Sequence, residues 1–124
     1  MKEVIATTNA PGALGPYSQG IKTGNKIFTS GQIPLDPATG TMAATIEEQT
    51  RQSLSNVMAV LKEAGASAAN VVKTTVFLRD MNDFAAMNAV YATFFEGACP
   101  ARSAVQVARL PKDAMLEIEA IAVL

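Results

Sequence analysis

The side chains able to do chemistry in this sequence are few, and most lie in its second half. Arg102 sits in the run Cys99-Pro100-Ala101-Arg102-Ser103, at a loop-to-strand junction that Pro100 stiffens. A guanidinium there can grip a carboxylate through two parallel hydrogen bonds, which lysine cannot match. It can equally pair with Glu117 or Glu119 across a sheet. Those two glutamates stand at i and i+2 of a strand-like run, so they share a face about 7 Å apart. A carboxylate on a partly apolar face can orient or deprotonate a water. Glu117 is open to that role or to an ion pair, whereas Glu119 is expected to pair with Lys73, Arg79 or Arg109. Ser30-Gly31-Gln32 closes another apolar run. Gly31 has no Cβ, so a ligand could reach the backbone there beside the Ser30 hydroxyl. A β-bulge ahead of Pro34 would use the same residues. Tyr17 follows Gly15-Pro16 and offers either a hydroxyl to a ligand or a half-buried packing ring. Asn88, one turn beyond Phe84, could reach a ligand or tie down a loop. Cys99 has no histidine to activate it and reads as incidental.

Composition removes most other chemistry. Histidine is absent, which excludes a Ser-His-Asp triad, a Cys-His dyad and an HExxH zinc site. A single cysteine allows neither an internal disulfide nor a cysteine zinc site, and it suits a reducing compartment. No phosphate-cradling glycine spacing occurs, so neither metal nor cofactor is expected. The formal charge is −1 and the pI about 5.3. A nucleic-acid partner, which calls for a basic stripe, is therefore not expected. No apolar run approaches the ~18 residues of a membrane span. The opening MKEVIATTNAPG lacks the apolar stretch of a secretory signal, and the cytoplasm is the expected location.

These residues need a scaffold, and 124 residues at 49% hydrophobic and 17% charged suffice for one domain, 1–124. Glu3 to Ala6 reads as a short strand, and Asn9 to Pro16 as turn chemistry. Ser18–Thr23 and Lys26–Ile33 form a hairpin about Gly24-Asn25. Thr45 to Gly65 is the clearest helix. Thr45 and Glu48 make a capping box, Gly65 supplies the stop, and Ile46, Leu54, Val57, Met58, Leu61 and Ala64 form the apolar stripe. Asn70 to Arg79 is a β-branched strand with Val72, Thr74, Val76 and Leu78 on one face. Asn82 or Asp83 caps a second helix, about Phe84 to Phe95, with Phe84, Met87, Tyr91, Phe94 and Phe95 inward. Arg102–Arg109 and Ala114–Leu124 are strands joined by Leu110-Pro111-Lys112-Asp113. The order β-β-β-α-β-α-β-β is α+β, a mixed sheet with two helices on one face. The last strand carries Leu116, Ile118, Ala120, Ala122 and Leu124 on one side, but also Met115, Ile121 and Val123 beside its glutamates on the other. A face of that kind is seldom left to solvent, which predicts a homo-oligomer with any active site at the subunit junction.

Taken together, these segments resemble the RidA/YjgF/translation-inhibitor family of reactive-intermediate deaminases. The matching runs are Asn9-Ala10-Pro11 with Gly15 to Gly20, Thr29 to Pro34, Val72 to Phe77, Met81 to Phe84 with Asn88, Pro100 to Ser103, Val107 to Lys112 and Glu117 to Ala122. They cover essentially the whole chain in order. The resemblance implies a chorismate-mutase-like fold and a homotrimer with sites in the intersubunit clefts. It implies hydrolysis of 2-imino or enamine acids, such as 2-iminobutanoate and 2-iminopropanoate from PLP-dependent dehydratases, to 2-keto acids and ammonia. It also implies that Arg102 binds the substrate carboxylate, that Tyr17, Ser30, Gly31, Asn88 and Glu117 line the pocket, and that Glu117 acts with the backbone carbonyl near Ala104 in placing the water. An imine is already a strong electrophile, so such a reaction needs no histidine, metal or covalent nucleophile. Two positions depart from the family pattern: Ala104 stands where many bacterial members have cysteine, and Cys99 where an aromatic residue is usual. The other readings are a non-catalytic small-carboxylate-binding or chaperone-like trimer, and the same pocket acting on an aminoacrylate-type acid.

Overall fold

The computed structural model describes residues 1–124 and shows one six-stranded sheet with two helices. The strands are β1 (Lys2–Ile5), β2 (Gly20–Thr23), β3 (Lys26–Thr29), β4 (Val71–Leu78), β5 (Ala101–Gln106) and β6 (Leu116–Val123). The helices are α1 (Ile46–Glu63) and α2 (Phe84–Tyr91). Spatial order is β1-β2-β3-β6-β4-β5, and only β4 and β5 run parallel. The parallel pair needs a crossover, and α2 provides it. The expected α+β architecture, with both helices on one face, is what forms. No helix is long and apolar enough to cross a membrane.

The core lies between that face and the helices. Leu54, Val57, Leu61, Val76, Leu78, Met87, Leu116 and Ile118 belong to it and are fully shielded from solvent. β6 alternates strictly, burying Leu116, Ile118, Ala120 and Ala122, as a strand with one face on the core must. The opposite face stays apolar in places: Phe28 and Val105 are exposed, and Phe28 stands directly across from Ile121.

Local details follow from backbone chemistry, with four corrections. At α1 only the Thr45 half of the capping box forms, its hydroxyl accepting from the Glu48 N–H at 3.2 Å. The helix ends as expected. Gly65 takes φ +87°, its N–H donates to the Lys62 carbonyl, and that of Ala66 donates to Leu61, the paired bonds of a Schellman motif. Asp83 is the N-cap of the second helix, one of the positions expected, but a 3-10 turn over Met81–Asp83 precedes the helix and carries the side-chain cap. The Asp80 carboxylate accepts from the Asn82 N–H at 2.9 Å, Asp83 caps nothing with its side chain, and α2 ends at Tyr91 before a 3-10 turn. A bulge between Val71 and Lys73 turns Val71 inward and leaves Val72 exposed, reversing the expected face at that position. In the hairpin loop only Gly24 has positive φ (58°).

The stripe of α1 is also more polar than its spacing suggests. Gln49, Thr50, Ser53 and Asn56 are buried; Thr50 bonds back to the Ile46 carbonyl within the helix, and the other three act as ties. The Ser53 hydroxyl donates to the Gln32 carbonyl at 2.6 Å, and the Asn56 amide donates to the carbonyls of Ile33 and Leu35. These bonds hold the segment after β3 against the helix, which fixes the strand end carrying Ser30 and Gly31.

Candidate active site

The residues singled out above fall into two groups on opposite faces of the sheet. Arg102 is the register partner of Thr74, and Ala104 of Val76. Both Thr74 and Val76 are buried beneath the helices, so Arg102 and Ala104 point to the helix side. Glu117 pairs with Phe77, and Glu119 with Thr75, on the open side. One chain therefore cannot join Arg102 to either glutamate, and the reading of Arg102 as their ion-pair partner is overturned. The expected pairing of Glu119 fails as well: the single ion pair in the chain links Arg79 to Asp113 at 3.2 Å.

The first group is built on α2. The Arg102 Nη1 donates to the Asn88 Oδ1 at 2.6 Å. Because a guanidinium only donates, this contact fixes which end of the amide faces it. The guanidinium carbon lies 4.7 Å from the centroid of the Tyr91 ring and 5.4 Å from that of Phe84, within cation–π range. The Tyr91 hydroxyl shares a 2.7 Å hydrogen bond with Thr74 in the interior. Burial pushes the Tyr91 phenol above its ordinary range, against the opposing effects of the Thr74 bond and the Arg102 charge. Arg102 is half-buried and has no carboxylate partner. An unpaired guanidinium so placed can donate two parallel hydrogen bonds to a carboxylate.

The second group gathers where β3 meets β6. Phe28 opposes Ile121 and Gln32 opposes Ile118, so four steps on one side face three on the other. That is the bulge weighed above, and it coexists with a close approach. A Cβ at Gly31 would lie 2.7 Å from Cδ of Glu117 and 3.0 Å from its Cγ, so glycine is needed for the carboxylate to lie over the backbone. Desolvation by burial raises the Glu117 pKa above the usual carboxylate range, and the neighbouring Glu119 charge adds to this. The Ser30 hydroxyl donates to the Ser18 carbonyl at 2.6 Å. Tyr17 is 52% exposed, so its hydroxyl is available. Gln19 fixes the loop: it is buried, accepts from the Thr7 N–H at 2.7 Å, and donates to the carbonyls of Thr7 and Pro11. A groove of about 370 Å³ runs beside Tyr17, Ser18 and Gln19 without reaching Arg102 or Glu117.

With this geometry in view, the likenesses to known proteins can be placed. The family model described as endoribonuclease L-PSP matches residues 7–124. The chain belongs to the RidA/YjgF family. A RutC family protein of Pyrococcus horikoshii is 59% identical over 98% of each chain. An Escherichia coli protein named 2-iminobutanoate/2-iminopropanoate deaminase is 56% identical over 99% of this chain and 98% of its own. The crystal structure of E. coli TdcF with bound serine superposes with a TM-score of 0.96 at 54% identity, covering 98% of both chains.

Sequence reasoning missed Tyr91, Thr74 and Gln19. A signal for Tyr91 existed: Phe84, Asn88 and Tyr91 stand at i, i+4 and i+7 of one helix, the spacing of a single face. Cys99 is exposed and donates weakly to the Gly97 carbonyl at 3.8 Å. Nowhere do three cysteine, aspartate or glutamate side chains converge as a metal site requires.

Proposed function

We propose that the protein hydrolyses reactive 2-imino and enamine acids, such as 2-iminobutanoate and 2-iminopropanoate, to 2-keto acids and ammonia. The observation that carries this reading is Arg102: half-buried, held by Asn88 on an aromatic bed, and without a carboxylate of its own. The substrates of this class share a carboxylate beside a C=N bond. Relatives 56% identical carry the name of this activity. A relative 54% identical binds serine, which has the same carboxylate and a nitrogen on C2.

Arg102 fixes the carboxylate, and Glu117 holds a water against C2. Water adds to C2, its proton passes to Glu117, and a tetrahedral carbinolamine forms. Glu117 returns that proton to nitrogen and then relays the remaining hydroxyl proton of the carbinolamine to the same nitrogen, the C–N bond breaks, and ammonia leaves as the C2 oxygen becomes the keto group. The Ala104 carbonyl, two residues beyond Arg102, is the second acceptor for the water. Tyr17, Ser30 and Gly31 line the far side. Since an imine already reacts with water, positioning and proton transfer suffice. The family description as an endoribonuclease is not carried to this chain, which has no histidine and a pI of about 5.3, a poor match to RNA binding.

The two groups face opposite sides of one sheet, so a complete site takes Arg102 and Asn88 from one copy and Glu117, Gly31, Ser30 and Tyr17 from the next. A homotrimer supplies three such junctions and covers the apolar face around Phe28 and Val105. The test generates 2-iminobutanoate with a threonine dehydratase in the presence of semicarbazide. Wild-type protein should lower the semicarbazone formed. Arg102→Ala should lose about 2–5 kcal/mol of transition-state binding, and Arg102→Lys should recover little of it. Normal turnover by Arg102→Ala, or a monodisperse active monomer in light scattering, would overturn the reading.

A further inference from the structure

The bed beneath Arg102 contains more than apolar packing requires. A phenylalanine or leucine would fill the volume under a guanidinium, yet the structure has a tyrosine whose hydroxyl is buried and bonded to Thr74 at 2.7 Å. Thr74 is also the residue directly across from Arg102 in the β4–β5 ladder. One point of the sheet thus fixes both the backbone of the arginine and the far end of the ring under its guanidinium. Arg102 spends Nη1 on Asn88 and makes no other hydrogen bond within the chain, which leaves Nη2 and Nε open along one edge.

We infer that Tyr91 is a positioning residue for the substrate clamp: its ring, locked by Thr74, holds the Arg102 guanidinium with its open edge presented to the incoming carboxylate. A free arginine loses rotamer freedom when it binds an anion, and that cost falls on affinity. Here the ring and Asn88 impose the order at folding, before substrate arrives. The Tyr91 hydroxyl takes no part in proton transfer. It faces the interior, and its titration is pushed upward by burial, so it remains a neutral lock. The inference rests on the reading of Arg102 as the carboxylate clamp.

Calorimetric binding of 2-oxobutanoate, a stable carboxylate with the product skeleton, provides the test. Tyr91→Leu should weaken binding about tenfold, the size of a partly desolvated cation–π contact. In the semicarbazone assay it should raise KM by a similar factor with kcat nearly unchanged, as loss of uniform binding does. Tyr91→Phe, which keeps the ring but loses the bond to Thr74, should bind between wild type and Tyr91→Leu. A residue that only packs would lower the melting temperature and leave the dissociation constant alone. If folded Tyr91→Leu binds like wild type while Arg102→Ala does not, the inference fails and the clamp stands. If Arg102→Ala also binds like wild type, the clamp reading fails with it. Should Tyr91→Leu not fold, the wild-type protein decides by NMR. The Arg102 δ-methylene protons should be shifted upfield by the ring current of Tyr91, and unshifted signals would overturn the inference.

Discussion

Gly31→Ala tests the second half of the site without touching a titratable group. A methyl group there would stand 2.7 Å from Cδ of Glu117, and ordinary contact begins near 3.4 Å, so the carboxyl carbon must retreat by at least 0.7 Å. The nearer carboxylate oxygen must move further still. The obstruction is the far end of a flexible side chain, so the fold should absorb it, and stability should change by less than about 1 kcal/mol. On the proposed role of Glu117, catalysis should not absorb it, because displacing a reacting group by about 1 Å costs on the order of 100-fold. The semicarbazone competition assay, run beside a thermal melt, separates the two effects. The expected result is a nearly unchanged melting temperature with turnover down about 100-fold. Gly31→Ala in a Glu117→Gln background should cost almost nothing more, because both changes act on the same carboxylate. Full turnover by Gly31→Ala, or additive losses in the double variant, would refute the argument that Gly31 exists to seat Glu117.

Two further outcomes follow from the same geometry. If Glu117 takes the proton of water, it must be ionised, and its raised pKa places the acid limb of kcat/KM above the usual glutamate range. Activity should rise with pH through that limb, Glu119→Gln should move the limb downward by removing the neighbouring charge, and Glu117→Gln should abolish it. A pH profile that is level down to ordinary carboxylate values would contradict this. In the core, a Cβ at Gly20 would lie 2.7 Å from Cγ1 of Val60 and 3.3 Å from the Phe28 carbonyl. Gly20→Ala should therefore destabilise by about 1–3 kcal/mol through overpacking, read as a lower midpoint in urea, whereas an unchanged midpoint would show that β2 can shift away from α1.

Much of this was legible in the residues themselves. Alternation in β6 and the Gly65 stop each depend on neighbours in sequence, and periodicity reports such neighbours well. The bulge at Val71 was not legible, because it arises from register against β6, not from the β4 sequence. Asp83 stands at the α2 N-cap, one of the two positions expected, but the 3-10 turn before the helix takes its side-chain cap from Asp80, which the sequence does not single out because Asp80, Asn82 and Asp83 are all competent caps. Gln49, Ser53 and Asn56 were missed as ties because a polar residue on a helix is ordinarily assigned to solvent, whereas here the unpaired carbonyls of the segment after β3 draw them inward. For Arg102 and Glu117 the sequence shows which neighbours share each face within a strand. The face that one strand shows relative to another is set by pairing, and pairing turned these two side chains away from each other.

That separation has a genetic consequence. In the assembly proposed above, function belongs to junctions rather than to chains. A chain lacking Arg102 still presents an intact Glu117 face, and a chain lacking Glu117 still presents an intact Arg102 edge. Two alleles that are each inactive alone would complement one another in a cell that makes both, because some junctions would pair the sound half of one with the sound half of the other. A single chain that loses both residues can be rescued by neither.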